Sequence, residues 1–321
     1  MRRLLLALAT LGALLCPGAA SAQTYPSRPI TIVVTFPPGG NADTVARLLG
    51  EKFTQALGQT VIVENKPGAA TVIGTNAVLQ APADGTMLLQ AGTNTNINNL
   101  LGYQTPYNAE QDLVPVALLV TVPGVLVVNP AVPVASVAEL IAYAKSKPGE
   151  LNYGSAGNGT FAHLAMEQFA QRTGARLTHV PFRGFGPAMV GLLRNDVQLL
   201  ASDIPGALGH IGDGKLKALA FTGTTRMPQL PEVPTLAEAG VAGYEAAGFL
   251  GIMVKSGTPP EVVAVLNREI NNALKSPEFA RHIANSGLAV GGGSPADFTA
   301  FLAHDRAIWS RVIATGGIKG Q

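Results

Sequence analysis

Two short stretches of this chain place small residues beside Asn, Asp, Ser or Thr at the start of a helical pattern, and these residue types can do chemistry. The first reads Phe36-Pro37-Pro38-Gly39-Gly40-Asn41-Ala42-Asp43-Thr44, the second Tyr153-Gly154-Ser155-Ala156-Gly157-Asn158-Gly159-Thr160. Small residues let a ligand approach the backbone, and the N–H groups of a helix start carry about half a positive charge between them. That combination holds anions. An ordinary tight turn capped by Asp43 or Thr160 has the same composition, but one copy in each half of the chain suggests a cleft with an anion-binding wall on either side. Neither loop contains Lys, His or Arg, and the nearest cation is Arg47. A carboxylate would therefore be held by amides and hydroxyls. Such charge-assisted bonds contribute roughly 1.5–3 kcal/mol each, so four or five support micromolar binding, about −8 kcal/mol, after association costs.

Other motifs fail on their spacing. Gly157-Asn158-Gly159-Thr160-Phe161-Ala162 satisfies GxGxxA, but Val180-Pro181-Phe182-Arg183 stands where a dinucleotide site needs an acidic residue. Gly209 to Lys215 fits GxxxxGK, yet Leu216 occupies the magnesium-binding hydroxyl position. Ser155 lacks the preceding Gly of a nucleophile elbow, because Tyr153 stands there. The five His residues, at 163, 179, 210, 282 and 304, form no HExxH or i, i+4 pair, so no metal and no cofactor is expected. His163, one turn beyond the second loop, is either a partly buried helix residue or a ligand contact. Asp203 either faces the cleft or starts a turn. Phe249 and Phe182 are ring platforms or core, and Trp309 reads as packing.

The elements that must position these residues alternate short Val/Ile-rich runs with longer helical patterns, the mark of an α/β protein with a mostly parallel sheet. Strands are expected at Ile30 to Phe36, Val61 to Glu64, Met87 to Ala91, Val125 to Val128, Leu151 to Tyr153, Thr178 to Pro181, Val197 to Ala201 and Ala218 to Thr222. Helices are expected at Thr44 to Leu57, Ile73 to Gln80, Val137 to Ser146, Phe161 to Thr173, Pro260 to Leu274, Pro277 to Ser286 and Pro295 to Thr315. Leu113 to Val128 is the longest apolar stretch after the first 22 residues, and its prolines suggest two buried strands. Loops such as Gly92 to Asn96, Asp203 to Pro205 and Gly248 to Leu250 would form the far wall of the pocket.

Composition narrows the function. Of 321 residues, 37 are Gly, 23 Pro and one Cys; 47% are hydrophobic and only 13% charged. So few charges fit neither a disordered tail nor a nucleic-acid groove. Residues 1–22 run from Arg2-Arg3 through the apolar Leu4 to Leu15 to Pro17-Gly18 and Ala20-Ser21-Ala22. This is an export signal, with cleavage expected before Gln23, and its apolar core is too short for a membrane span. Cleavage removes Cys16 and leaves equal numbers of acidic and basic residues, so the exported chain has no disulfide and relies on a large core.

A resemblance runs along the chain in Tyr25-Pro26-Ser27-Arg28-Pro29-Ile30, Phe36-Pro37-Pro38-Gly39-Gly40 with Asp43, Val63-Glu64-Asn65-Lys66-Pro67-Gly68, Pro82-Ala83-Asp84-Gly85, Leu151-Asn152-Tyr153-Gly154-Ser155-Ala156-Gly157, His179-Val180-Pro181-Phe182, Leu230-Pro231-Glu232-Val233-Pro234-Thr235, Glu238-Ala239-Gly240 and Gly257-Thr258-Pro259. In these segments the chain resembles the Bug family, the extracytoplasmic solute-binding proteins of tripartite tricarboxylate transporters. The resemblance implies a two-lobed periplasmic-binding-protein fold, type II-like, with lobe 1 at 23–124 plus 249–321 and lobe 2 at 125–248, crossing near Gly124 and Gly248. It implies a periplasmic receptor that closes on a small mono- or dicarboxylate and delivers it to inner-membrane permease subunits. Carried over by position, ligand binding falls on Phe36, Gly39, Gly40, Asn41 and Asp43 of lobe 1 and on Ser155, Asn158, Gly159 and Thr160 of lobe 2. Our reading of the loops adds Thr93, Asn94, His163, Asp203 and Phe249. The chain departs from the family at Gly68-Ala69-Ala70-Thr71, usually Gly-Ala-Gly-Gly; at Phe249, commonly Trp; and at Ser202-Asp203, usually Asp-Asn. Two alternatives are an exported serine hydrolase using Ser155 and a ligand-sensing partner of a receptor kinase.

Overall fold

A computed structural model describes residues 25–320; the expected export signal and cleavage site lie outside the described residues. The described residues begin with strand β1, Ile30–Val34, and its neighbours β2, Val61–Asn65, and β3, Met87–Gly92. All three run parallel, in the order β2-β1-β3. Helix α1, Asn41–Leu57, joins β1 to β2, burying Val45, Ala46, Leu49 and Phe53 on one face at helical spacing. Helix α2, Val72–Leu79, leads into β3, and the short helix α3, Thr93–Ile97, follows it directly.

After α4, Ala109–Asp112, the apolar stretch expected as two strands is one: β4 runs unbroken for 16 residues, Leu113–Val128. Its register shifts between Pro115 and Ala117, which accommodates a proline that cannot donate to the ladder. Gly124 bends the strand from one sheet to the next while its N–H donates to Thr222 Oγ1 at 2.8 Å. The first part of β4 pairs antiparallel with β9, Ala247–Lys255, and with β10, Ala289–Gly292; its last five residues pair with β7, Leu199–Asp203, and β8, Lys217–Phe221. Strand β10 and the short helices were not legible in the sequence.

The second half repeats the strand-helix alternation: α5, Val137–Ser146, β5, Asn152–Ser155, α6, Phe161–Thr173, β6, Thr178–Pro181, α7, Phe185–Leu193, then β7, α8, Ile204–Gly212, and β8. The sheet order β2-β1-β3-β9-β4-β7-β5-β6 makes β4 and β9 the bridge between the halves. Helices α9, Pro260–Leu274, and α10, Pro277–Asn285, return to the first sheet, where Leu266, Ile270 and Phe279 join the core of Ile32, Leu49 and Ile252. The last helix, α11, Pro295–Gly316, spans both halves. Phe298 packs with Leu89, Phe249 and Met253, whereas Trp309, Val312 and Ile313 pack with Val127, Phe169 and Leu200 of the second core.

Candidate functional site

The loop after β1 stands open. Pro37, Pro38, Gly39 and Gly40 are exposed, and a side chain added at either glycine would meet nothing within 4 Å. Gly39 has φ +88°, a conformation that favours glycine. The loop is anchored from behind. Asp43 accepts the Gly39 N–H at 3.0 Å and binds Arg47 through both oxygens, at 2.9 and 3.1 Å. Arg47 also donates to Asn65 Oδ1, and Asn65 Nδ2 donates to the carbonyl of Phe36. Chiefly through Arg47, the Asp43 carboxyl is held down at about 2. Asp43 and Gly39 thus fix the loop, and the first-turn N–H groups of α1, which no intrahelical carbonyl can reach, point outward from it.

In front of that turn lies a cavity of about 240 Å³, lined by Phe36, Asn41, Ala42, Thr93, Asn94, Val122, Pro123, Phe161, Asp203, Gly248, Phe249 and Leu250. Both halves contribute, and the bridging strands supply the floor. Val122 and Gly248 face each other across the β4–β9 ladder. Among the described residues lining it there is no Lys, Arg or His. Thr93 Oγ1 is buried there without a protein partner among the described residues, a hydroxyl available to a bound molecule. Of the residues singled out in the sequence, Phe36, Asn41, Thr93, Asn94, Asp203 and Phe249 come together here. Phe249 contributes little ring surface: it is buried edge-on against Phe298 and Phe301, with centroids 5.9 and 5.3 Å away.

The second loop is packed. Gly157 and Gly159 are buried, and a Cβ on Gly159 would press on Leu101 at 3.1 Å. Ser155, fully buried, shares a 2.6 Å hydrogen bond with His179 Nε2, donates to the Gly157 carbonyl and accepts the Gly157 N–H. His179 stacks on His163, with centroids 3.8 Å apart and planes 10° apart, and on Tyr153. The Gly159 N–H donates to His163 Nδ1 at 3.0 Å, and Thr160 Oγ1 donates to the Gly157 carbonyl at 2.7 Å. Burial pushes both imidazoles down to about 4, His163 with a further contribution from His179. Asn158 and His163 line a different cavity, of about 360 Å³, beside Glu167 and Gly316–Gly320. Only Phe161, just beyond this loop, reaches the inter-half cavity.

The sequence reading missed Phe161 and Val122, whereas Gly248 and Leu250, expected in the far wall, do line the cavity. Phe161 carries the signal that could have found it, being the first residue of a helix after a glycine loop. The Ser155–His179 pair was likewise missed, although parallel pairing of β5 with β6 sets Tyr153 opposite His179.

This architecture has known relatives. The profile of the tripartite tricarboxylate transporter family receptor matches residues 45–318, and the protein BugT of Bordetella pertussis is 39% identical over 301 residues, 93% of this chain and 92% of its own. The chain belongs to that receptor family. A protein of Pseudomonas sp. strain P51, named for the tcbD-tcbE intergenic region, is 37% identical over 91% of this chain and 87% of its own. Among solved structures, R. palustris Rpa4515 with adipate superposes with a TM-score of 0.79 at 34% identity, covering 92% of this chain and 99% of that one. MatC from Rhodopseudomonas palustris with bound malate gives 0.74 at 29% identity, covering 90% and 100%. The fold is thus the two-lobed α/β fold of the periplasmic binding proteins. Among the described residues, no helix is long and apolar enough to cross a membrane.

Two of the segments singled out in the sequence have structural consequences. Ala69, Ala70 and Thr71 all take positive φ, 45°, 49° and 81°, so this turn is built from strained residues. Asp203 caps α8, accepting the Gly206 N–H at 3.1 Å, and partial desolvation raises its carboxyl above the ordinary range. It is the one acid among the described residues lining the cavity.

Proposed function

We propose that this receptor is exported, captures a small organic mono- or dicarboxylate in the inter-lobe cavity and delivers it to a membrane permease. The observation that carries the reading is the cavity itself: it is built from both lobes and the bridging strands, opens on the first turn of α1, and offers Asn41, Thr93 and Asn94 without a cation. An acid would be held by amides and hydroxyls, with Phe161 covering its apolar part. Closure about β4 and β9 completes the cage and expels water, and the closed form is what the permease reads. Asp43 and Gly39 serve as the anchor behind the first wall. Ser155, Asn158, Gly159, Thr160 and His163 act as the frame of the second wall and contact the ligand least. Two relatives hold adipate and malate, acids of the size the cavity accepts.

The Ser155–His179 distance is one a hydrolase could use. Full burial of Ser155 favours a structural role, since a substrate carbonyl has no route to its hydroxyl. Isothermal titration against malate, adipate, citrate, an aromatic acid and glutamate tests the reading. Micromolar binding of at least one acid, about −8 kcal/mol, is expected; silence from folded protein across the panel would contradict it.

A further inference from the structure

Behind the bridging strands, on the side away from the cavity, lies a small crevice of about 60 Å³ lined by Thr121, Pro123, Ala247, His304, Asp305 and Trp309 among others. Asp305 belongs to α11 and is only 5% exposed. One carboxylate oxygen, Oδ2, accepts from Asn96 Nδ2 at 2.8 Å, and the other, Oδ1, accepts from Trp309 Nε1 at 2.8 Å. Asn96 lies on α3, whose first two residues, Thr93 and Asn94, line the cavity. Trp309 is fully buried in the second core.

The α3–α11 junction is reinforced on both sides of this carboxylate. Asn96 Nδ2 also donates to the Leu302 carbonyl at 3.0 Å. Arg306 donates to the Asn96 carbonyl and to Asn99 Oδ1, and pairs with Glu110 at 2.6 Å. A five-residue helix has too few internal hydrogen bonds to hold its own position, so the orientation of Thr93 and Asn94 is set by what grips the other end. A buried carboxylate costs desolvation, and removing one of its partners leaves an uncompensated charge. We propose that Asp305 is a positioning residue for the cavity, one oxygen fixing α3 and with it the ligand-facing Thr93 and Asn94, the other tying that helix to the second core. The link to affinity rests on the carboxylate-receptor reading above; the link to α3 does not.

The neighbouring charged groups are His304, which pairs with Glu245 at 3.0 Å, and the Arg306–Glu110 pair. Burial raises the Asp305 carboxyl to about 6 against the opposing hydrogen bonds from Asn96 and Trp309. An opening that wets the carboxylate returns it toward its ordinary value, so by linkage that opening becomes easier as pH rises toward about 6.

Asp305→Asn keeps the shape but places an NH₂ against either the Asn96 amide or the Trp309 indole, donor against donor. Hydrogen exchange of the α3 amides in the full chain is the direct readout. Asp305→Asn should speed exchange at residues 94–98 about tenfold, ~1.4 kcal/mol, while amides of β1 and β5 keep wild-type rates. It should also weaken, by a similar factor, whichever acid of the panel binds the wild type. The swapped variant Asn96→Asp/Asp305→Asn restores donor facing acceptor between these two side chains but gives up the bond to the Leu302 carbonyl, so it should recover only part of both losses. Wild-type α3 exchange, corrected for the intrinsic rate, should rise between about pH 4 and 6 and level off above, and the Asp305→Asn variant should lose that rise. Wild-type rates at residues 94–98 in Asp305→Asn would overturn the proposal, and so would a uniform acceleration across both cores, which marks a merely structural residue. If the wild type binds no acid, the titration refutes the receptor reading, while the exchange result still decides the role of Asp305.

Discussion

The two glycine loops look alike in sequence and end up in opposite states. The loop after β1 is held from behind by Asp43, Arg47 and Asn65 and leaves Pro37 to Gly40 exposed. The loop after β5 is pulled inward by Ser155, Thr160 and the His163–His179 stack, and its glycines are covered. A helix start preceded by glycines supplies donors, but the flanking side chains decide whether those donors face a ligand or the protein's own interior. An ion pair at the rear frees the first loop; neutral imidazoles beneath the second consume it.

The largest expected effect separates the two loops by pH. Both imidazoles of the second loop are depressed to about 4, so the folded state binds their protons more weakly than the unfolded chain. The stability they confer is present above about pH 6.5 and is lost as pH falls toward 4. Protonation also costs His163 the Gly159 N–H, because Nδ1 can no longer accept. Thermal unfolding followed over that range should show a loss of up to about 3 kcal/mol per imidazole, reduced by solvent screening at the partly exposed His179, and smaller in His163→Gln. The first loop's Asp43, held at about 2, contributes stability that is present above its unfolded value near 4 and lost only as pH falls through about 2, below that window.

Next in size, Ser155→Ala should cost about 1–2 kcal/mol in chemical denaturation by leaving His179 Nε2 without its partner, with little change in ligand affinity. Asn41→Ala should do the reverse, weakening acid binding about tenfold, ~1.4 kcal/mol, at near wild-type stability; calorimetry on both variants checks the contrast. Asp203→Asn should tighten acid binding a few-fold near neutral pH and flatten a wild-type affinity that declines as pH rises, since an ionised Asp203 repels the ligand. The smallest effect belongs to the strained turn beside the first loop: Ala70→Gly relieves a positive φ and should raise stability by about 0.5–1 kcal/mol.

Much of this was legible before the structure. The periodicities of Val45 to Phe53 and of Val262 to Ile270 identify α1 and α9, and Val/Ile runs locate β1, β2 and β3, because each burial pattern is local. Leu113 to Val128 was misread: proline normally ends a strand, but here a register shift absorbs Pro115 and the strand crosses from one sheet to the other. Asn41, Thr93, Asn94 and Asp203 were found as loop residues at helix starts. That Ser155 would turn toward His179, or that Asn96, Asp305 and Trp309 would form one bridge, depends on pairings between residues 24 and 209 positions apart. No window of sequence contains them.

The most direct test is a crystal structure of the receptor with the tightest-binding acid of the panel. A ligand carboxylate within hydrogen-bond distance of the α1 first-turn N–H groups, with Asn41, Thr93 or Asn94 completing its shell, is the predicted result. A carboxylate bound instead to the Ser155–Thr160 loop, or outside the inter-lobe cavity altogether, would contradict the account.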